Sequence, residues 1–177
     1  VAETYDRPYL DAPLQVAQAL AVLPVPRTGQ PLASAQGKLS YLTYRPAYEA
    51  DILDRLPCVV VDVTPDRPVR YQYAGTELLR GMPLSIVLFT PLYAYLDGLS
   101  ADEVKRAVRA ADEDVKTILG DLEAVLNSEE ARRRIHKRLE LTTAIVFYDE
   151  LAFESRTHVR ARVAELQCVL WHPVPGH

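Results

Sequence analysis

Three groups of side chains in this chain are of types that do chemistry. Asp112, Glu113 and Asp114 are consecutive; Asp149 and Glu150 are adjacent, with Glu154 close behind. Carboxylates hold a divalent cation when several converge on one point. Consecutive helical residues instead fan around the axis, about 100° apart. Asp149, Glu150 and Glu154 fall in an expected acidic turn region, Asp149 to Thr157. Both groups read as a solvated face or a salt-bridging rim rather than a metal site. The third group is basic: Arg132, Arg133, Arg134, His136, Lys137 and Arg138. Phosphate contact is one use of such a run. Ion pairing with Glu129 and Glu130, or with an acidic surface of another subunit, is the other. The net charge is −4 and no aromatic residue interleaves for base stacking, so ion pairing is preferred.

The signatures of catalysis are missing. There is no GxGxxG, and Gly37-Lys38 lacks the glycine spacing and the Ser/Thr of a phosphate loop. No HExxH, CxxC or EF-hand pattern occurs, and no serine stands in a nucleophile-elbow context. His136 sits among arginines, which disfavour its charged form. His172 and His177 fall in an expected frayed tail, and His158 opens a strand. Cys58 and Cys168 lie in apolar strand-like runs, which points to two buried thiols rather than a disulfide. The expectation is no catalytic residue, no metal and no cofactor.

At 177 residues, 49% hydrophobic and 25% charged, the chain has ordinary globular composition and enough length for one core with an arm or tail. Its net negative charge gives no general attraction for nucleic acid or anionic lipid. No apolar run approaches the roughly 20 residues that span a bilayer. The opening VAETYDRPYLDAP is polar and acidic, unlike a signal or transit peptide.

The elements follow from periodicity. Val104, Val108, Ala111, Val115, Ile118, Leu122 and Val125 recur at spacings of four and three, which puts them on one side of a helix over Ser100 to Leu126. Ser100 and Glu103 match a capping box. Asp102 with Arg106, Arg109 with Glu113 and Asp112 with Lys116 pair opposite charges four apart. Leu14 to Leu23 predicts a shorter helix, capped by Asp11, with Pro13 in its first turn and Pro24 ending it. Val16, Ala19, Leu20 and Leu23 are its buried face; Gln15 and Gln18 turn to water. Strands are expected at Leu56 to Val63, Val69 to Tyr73, Leu84 to Thr90, Leu141 to Tyr148 and His158 to Trp171, with a loop at Ala74 to Gly81 and a short helix after Asn127-Ser128. Pro24 to Ala50, with four prolines and two glycines, reads as an extended arm. Tyr41, Tyr44 and Tyr48 suit it to ordering on a neighbouring subunit.

This pattern predicts an α+β domain: a single mostly antiparallel sheet with a long helix and shorter helices packed on one face. Val108, Val115, Ile118 and Leu122 are expected to pack on Val61, Ile86, Ile145 and Val163. The chain divides into an N-terminal helix and arm (1–55), the α+β domain (56–171) and a tail (172–177).

Several residues carry a resemblance. A strand is entered through Leu56-Pro57 and runs Cys58-Val59-Val60-Val61. Pro83-Leu84-Ser85-Ile86-Val87-Leu88 leads to a long helix with Asp114-Val115 and Leu119-Gly120-Asp121-Leu122, and two long strands close near Trp171. Over Leu56 to Trp171 this resembles the tail-terminator and related neck proteins of long-tailed bacteriophages. The Pro24 to Ala50 segment is longer than that family's usual lead-in, and a tail follows Trp171. The resemblance implies a structural virion protein, assembled in the host cytoplasm. It would form a homohexameric ring at the head-proximal end of the tail, bound to tail tube protein and head connector proteins. DNA would pass through without specific binding, and neither membrane nor cofactor would take part. In such a ring Arg132, Arg133 and Arg138 are candidates for one subunit surface, and Asp149, Glu150 and Glu154 for the other, with Tyr41 and Tyr44 on the arm. Two other classes compete: a peptide-binding or regulatory domain recruiting its partner along a sheet edge, and an enzyme with an unrecognised site.

Overall fold

A computed structural model describes residues 7–32, 40–42, 56–92, 98–135, 139–153 and 156–176, with the backbone alone for 40–42, 91–92, 147–153 and 156–160. Along the chain come α1 (Pro8–Val22), β1 (Ser40–Leu42), β2 (Cys58–Val63), β3 (Arg70–Ala74), β4 (Glu77–Leu92), α2 (Ala101–Leu126), α3 (Glu129–Arg134), β5 (Leu139–Phe153) and β6 (Arg156–Pro173). The strands form one sheet in the order β1-β2-β4-β6-β5, with β3 also paired to β4. Every pairing is antiparallel except β1 with β2. The chain thus adopts the expected α+β architecture.

β4 is central because its sequence suits burial on both faces. Met82, Leu84, Ile86 and Leu88 point to the helix side, where they join Val59, Val61, Leu166 and Leu170. α1 adds Ala12, Val16 and Leu20 to this core, and α2 adds Val115, Leu119, Leu122 and Val125. The other face carries a smaller cluster of Cys58, Val60, Val87, Phe89 and Ala161. Cys58 and Cys168 therefore belong to opposite faces; both are free and buried.

The long helix starts where its sequence says. The Ser100 amide donates to the Glu103 carboxylate at 2.7 Å, and the Glu103 amide donates to Ser100 Oγ at 3.3 Å. The next helix has its own cap: Ser128 Oγ accepts from the Ala131 amide at 3.2 Å and donates to the Val125 carbonyl at 2.6 Å. Of the expected surface pairs, Asp112–Lys116 closes at 2.8 Å, while Arg106 instead donates to the Asp102 carbonyl at 3.4 Å.

Several expectations are corrected. α1 begins at Pro8, not Leu14, because Pro8 suits a first helical position and the Asp11 carboxylate accepts from the Arg7 amide at 3.0 Å. Pro13 is buried inside the helix. Gln15 does not turn to water: its Nε2 donates to the Arg134 carbonyl at 2.8 Å. Val108 and Ile118 are half-buried rather than buried. Ile145 and Val163 do not lie under α2. An extra residue, Thr142, stands between the Leu141–Cys168 and Thr143–Gln167 pairs. Its hydroxyl donates to the Gln167 carbonyl at 3.1 Å. A one-residue bulge exchanges the faces of everything after it, so Val146 faces the helices and Ile145 faces away, exposed.

Ala74 to Gly81 is not a loop. Gly75 supplies a positive φ of 66° in the two-residue turn that joins β3 to β4. Gly81 sits inside β4, opposite Trp171 on β6. A Cβ there would lie 2.7 Å from the Trp171 ring, so the indole occupies the space glycine leaves. Asp149 and Glu150 belong to β5 rather than to a turn, and β6 already begins at Arg156. His172 is buried within β6 rather than in a frayed tail.

The arm expectation fails over its first part. Leu23, Val25 and Leu32 are buried in the chain's own core. Arg27 reaches Asp121 on α2 with two hydrogen bonds, 3.1 and 2.8 Å. Tyr41 lies in β1, in register with Val59 of the same chain. Residues 33–39 and 43–50, including Tyr44 and Tyr48, lie outside the described residues.

Candidate interaction surfaces

The pairing registers leave strands with one partnered side at two opposite margins of the sheet. β3 pairs with residues 77–81 of β4 and, among the described residues, with nothing else. β6 holds the other side of β4 from Leu79 to Leu92, so β3 shares a margin with β2. β5 pairs with β6 and ends the sheet on the opposite margin.

The β3 margin is aromatic. All five residues of β3 are exposed, Tyr71 by 56% and Tyr73 by 64%. Strand alternation puts both tyrosines on one face. Tyr71 stands opposite Arg80 in register. The Arg80 guanidinium lies 5.8 Å from the centre of the Tyr9 ring on α1, a cation–π contact that ties exposed Tyr9 to the same patch.

The β5 margin is irregular and acidic. Phe147 pairs with Val163 and Leu151 with Ala161. Tyr148, Asp149 and Glu150 therefore stand opposite one residue, Arg162, and its neighbour across the other ladder is Thr90. Arg162 is 8% exposed. Among the described residues its buried Nε and Nη1 find no hydrogen-bond partner, and none forms an ion pair with it.

Two of the basic residues singled out in the sequence are engaged locally. Arg132 Nη2 donates to Asn127 Oδ1 at 2.9 Å, and Arg133 Nη2 pairs with Glu129 at 2.9 Å, both exposed on α3. Arg138 and Glu154 lie outside the described residues; Asp149 and Glu150 are placed by backbone alone. Sequence reasoning singled out neither Tyr71 and Tyr73 as a surface nor Arg162 as a buried cation. The signal for Arg162 was present: counting back by twos from the inward residues Leu170, Cys168, Leu166 and Ala164 reaches Arg162.

A depression of about 180 Å³ on the face away from the helices is lined by Thr64, Arg67, Arg70, Thr143 and Gln167, among others. Thr64, one of the lining residues, shares a hydrogen bond with buried Ser85 at 2.9 Å. Cys168 also borders the depression, but burial pushes that thiol up to about 12, far from a reactive thiolate at neutral pH. No carboxylate or imidazole lines the depression, so its described residues offer no general base. Among the described residues no group of three His, Cys, Asp or Glu is placed to hold a metal ion. No described helix is long and apolar enough to cross a membrane. No protein-family model matches the chain, and no curated protein sequence matches it.

Proposed function

We propose that this chain is a structural subunit of a closed ring, acting at the head-proximal end of a phage tail to end the tube and join it to the head connector. The observation that carries the reading is the difference between the two sheet margins: tyrosines at β3, an acidic bulge at β5. A ring closes through head-to-tail contacts, which require each subunit to offer two different surfaces. An α+β domain with unlike margins meets that requirement. The resemblance over Leu56 to Trp171 gives the ring its place in a particle. With residues 24–32 and β1 committed to the chain's own fold, the margins rather than an arm supply the holding contacts.

Electron microscopy of the chain, alone at high concentration and mixed with tail tubes, tests this. The expected result is closed rings, six-fold in symmetry, at one end of the tube. Tubes that bind no subunit, with no ring at any concentration, overturn it. The margin of β3, which pairs only with β4 among the described residues, also supports a second reading, a domain that adds an extended peptide to its sheet. A chain that stays monomeric beside tubes and captures an extended peptide along β3 decides for that reading.

A further inference from the structure

The depression on the face away from the helices is built from parts that the ring reading does not use. It opens where two strands share one side of β4: β3 pairs with residues 77–81 and β2 with residues 84–89. Met82 and Pro83 stand between them, and Pro83 has no amide hydrogen to offer. Its carbonyl accepts from the Thr64 amide at 2.8 Å. The chain then crosses the gap through Pro65-Asp66-Arg67-Pro68, with Asp66 at a positive φ of 58°. On the far side, the extra residue in β5 sets both Thr142 and Thr143 against Gln167 of β6. The turn, β3, β4, β5 and β6 thus surround one hollow of about 180 Å³.

The polar groups left over in this hollow are donors. Arg70 stands opposite Gly81 in register, which puts it on this face. Arg67 Nη2 donates to Gln167 Oε1 at 3.4 Å, which carries its guanidinium from the turn towards β6. That bond engages the Gln167 oxygen and leaves its Nε2 as a donor. The Thr142 hydroxyl is spent on the Gln167 carbonyl at 3.1 Å, whereas the Thr143 hydroxyl has no bond to a described residue. Thr64, 9% exposed, and Ser85, 2% exposed, hold two hydroxyl protons and share a single bond of 2.9 Å. When Ser85 donates, the unspent proton belongs to Thr64, in the wall of the hollow. A buried donor left unspent is costly. No described lining residue is acidic, and among the described residues neither Arg67 nor Arg70 meets a carboxylate. Asp62 and Glu165, two residues along the chain from Thr64 and Gln167, stay outside the lining.

We propose that this hollow binds a phosphate group. Two guanidinium groups supply the charge, and the Thr64 and Thr143 hydroxyls and the Gln167 amide fix the orientation. A carboxylate offers two oxygens in one plane. A phosphate offers three or four around a tetrahedron, which suits donors arriving from the turn, β3, β5 and β6. Inorganic phosphate, a small phosphate ester and a nucleic-acid backbone all present this chemistry. The site needs only one chain, so it stands apart from the ring reading.

Calorimetric titration of the full chain with inorganic phosphate, at constant ionic strength, tests the site. The expected result is one saturable site per chain, with a thermal midpoint that rises as phosphate is added. Arg67→Gln and Arg70→Gln should each weaken binding about tenfold or more, and together should abolish it. Both side chains are exposed, so the fold should persist, as circular dichroism checks. Thr143→Val should weaken binding less. Arg132→Gln, exposed on α3 and outside the lining, should change nothing.

A short DNA duplex separates the sources. Duplex binding that phosphate displaces and Arg70→Gln weakens supports the site with a backbone phosphate as its ligand. Phosphate binding without duplex binding supports it with a small phosphate. The proposal is overturned if phosphate shows no saturable binding, or if Arg132→Gln weakens binding as much as Arg70→Gln, since general charge attraction then explains it. Acetate displacing phosphate at equal concentration also overturns it, in favour of a carboxylate site. A chain that forms rings yet binds no phosphate keeps the ring and loses this site; a monomer that binds phosphate does the reverse.

Discussion

The two ends of the sheet handle buried charge differently. Asp121 on the second half of α2 is 7% exposed and Arg162 on β6 is 8% exposed. Asp121 is met by Arg27 from the turn after α1, which joins two distant parts of the chain at one point. Around it α2 is buried at Leu119, Leu122, Val125 and Leu126, and Ala131 and Ile135 close the corner. Among the described residues Arg162 has no such partner, and the first half of α2 near that end contains no buried residue. One end of the molecule is complete within a single chain. The other shows, among the described residues, no comparable closure.

The largest test of this contrast places the same change in both halves of one helix. Val115 is fully buried in the core, whereas Val104 is half-buried. Val115→Asp should cost several kcal/mol, because it buries an unpaired carboxylate. Val104→Asp should cost the free chain less than about 1 kcal/mol. Urea unfolding followed by circular dichroism gives both values. Equal losses would mean that α2 is anchored evenly along its length, and the contrast would collapse.

The second test compares the two charges directly. Arg27→Met leaves Asp121 buried with no cation, and the thermal midpoint should fall by several degrees. Adding Asp121→Asn should recover part of the loss, since the remaining group is then neutral. Arg162→Met should move the midpoint of the free chain the other way. Opposite signs from the same kind of change, Arg to Met, would show that one arginine is matched within the chain and the other is not. Arg27 is itself held above its ordinary value by the hydrogen bond to Asp121 and the attraction of that carboxylate, so its charge persists throughout the accessible pH range.

Much of the fold was legible because local rules and tertiary packing agree. The stripe of α2, its Ser100–Glu103 box and the alternation in Cys58 to Val63 each name a face, and each face is used. The failures have physical causes. At β5, periodicity was read straight through Thr142, and one extra residue turned Ile145 outward; nothing in Leu-Thr-Thr-Ala announces a bulge. Gly81 looked like a loop residue because its role depends on Trp171, 90 positions away in sequence. Pro24 to Leu32 looked unable to support itself, yet Val25 and Leu32 are buried in the main core cluster. The surfaces were less legible than the core. Exposure of Tyr71 and Tyr73 depends on β3 having one partner strand, which is a matter of topology. Arg162 could have been found by alternation, but an arginine invites the assumption that it points to water.

The smallest effect expected belongs to the two helix caps, and it separates the ends again. The Ser100 amide, donating to the Glu103 carboxylate, and then the Ser100 hydroxyl hold that carboxyl below its ordinary value of 4.5. A group whose folded value is depressed contributes stability above its unfolded value and loses it as pH falls through the folded one. The box should therefore be intact at neutral pH and be lost in acid, as pH falls from the ordinary carboxyl value down through the depressed folded one. Ser100→Ala, removing one half of the box at neutral pH, should cost about 1 kcal/mol. Because no residue from Ala101 to Ala110 is buried, the first turn can open without the core, and the loss should appear as local fraying. Amide exchange at Glu103 and Val104 should quicken both in acid and in Ser100→Ala, with exchange in β4 unchanged. Ser128, by contrast, caps α3 between buried Leu126 and buried Ala131. Ser128→Ala should leave no separate fraying step and should instead quicken exchange throughout the core. If Ser100→Ala also quickens exchange in β4, the first half of α2 unfolds together with the core, and this end of the molecule is as complete as the other.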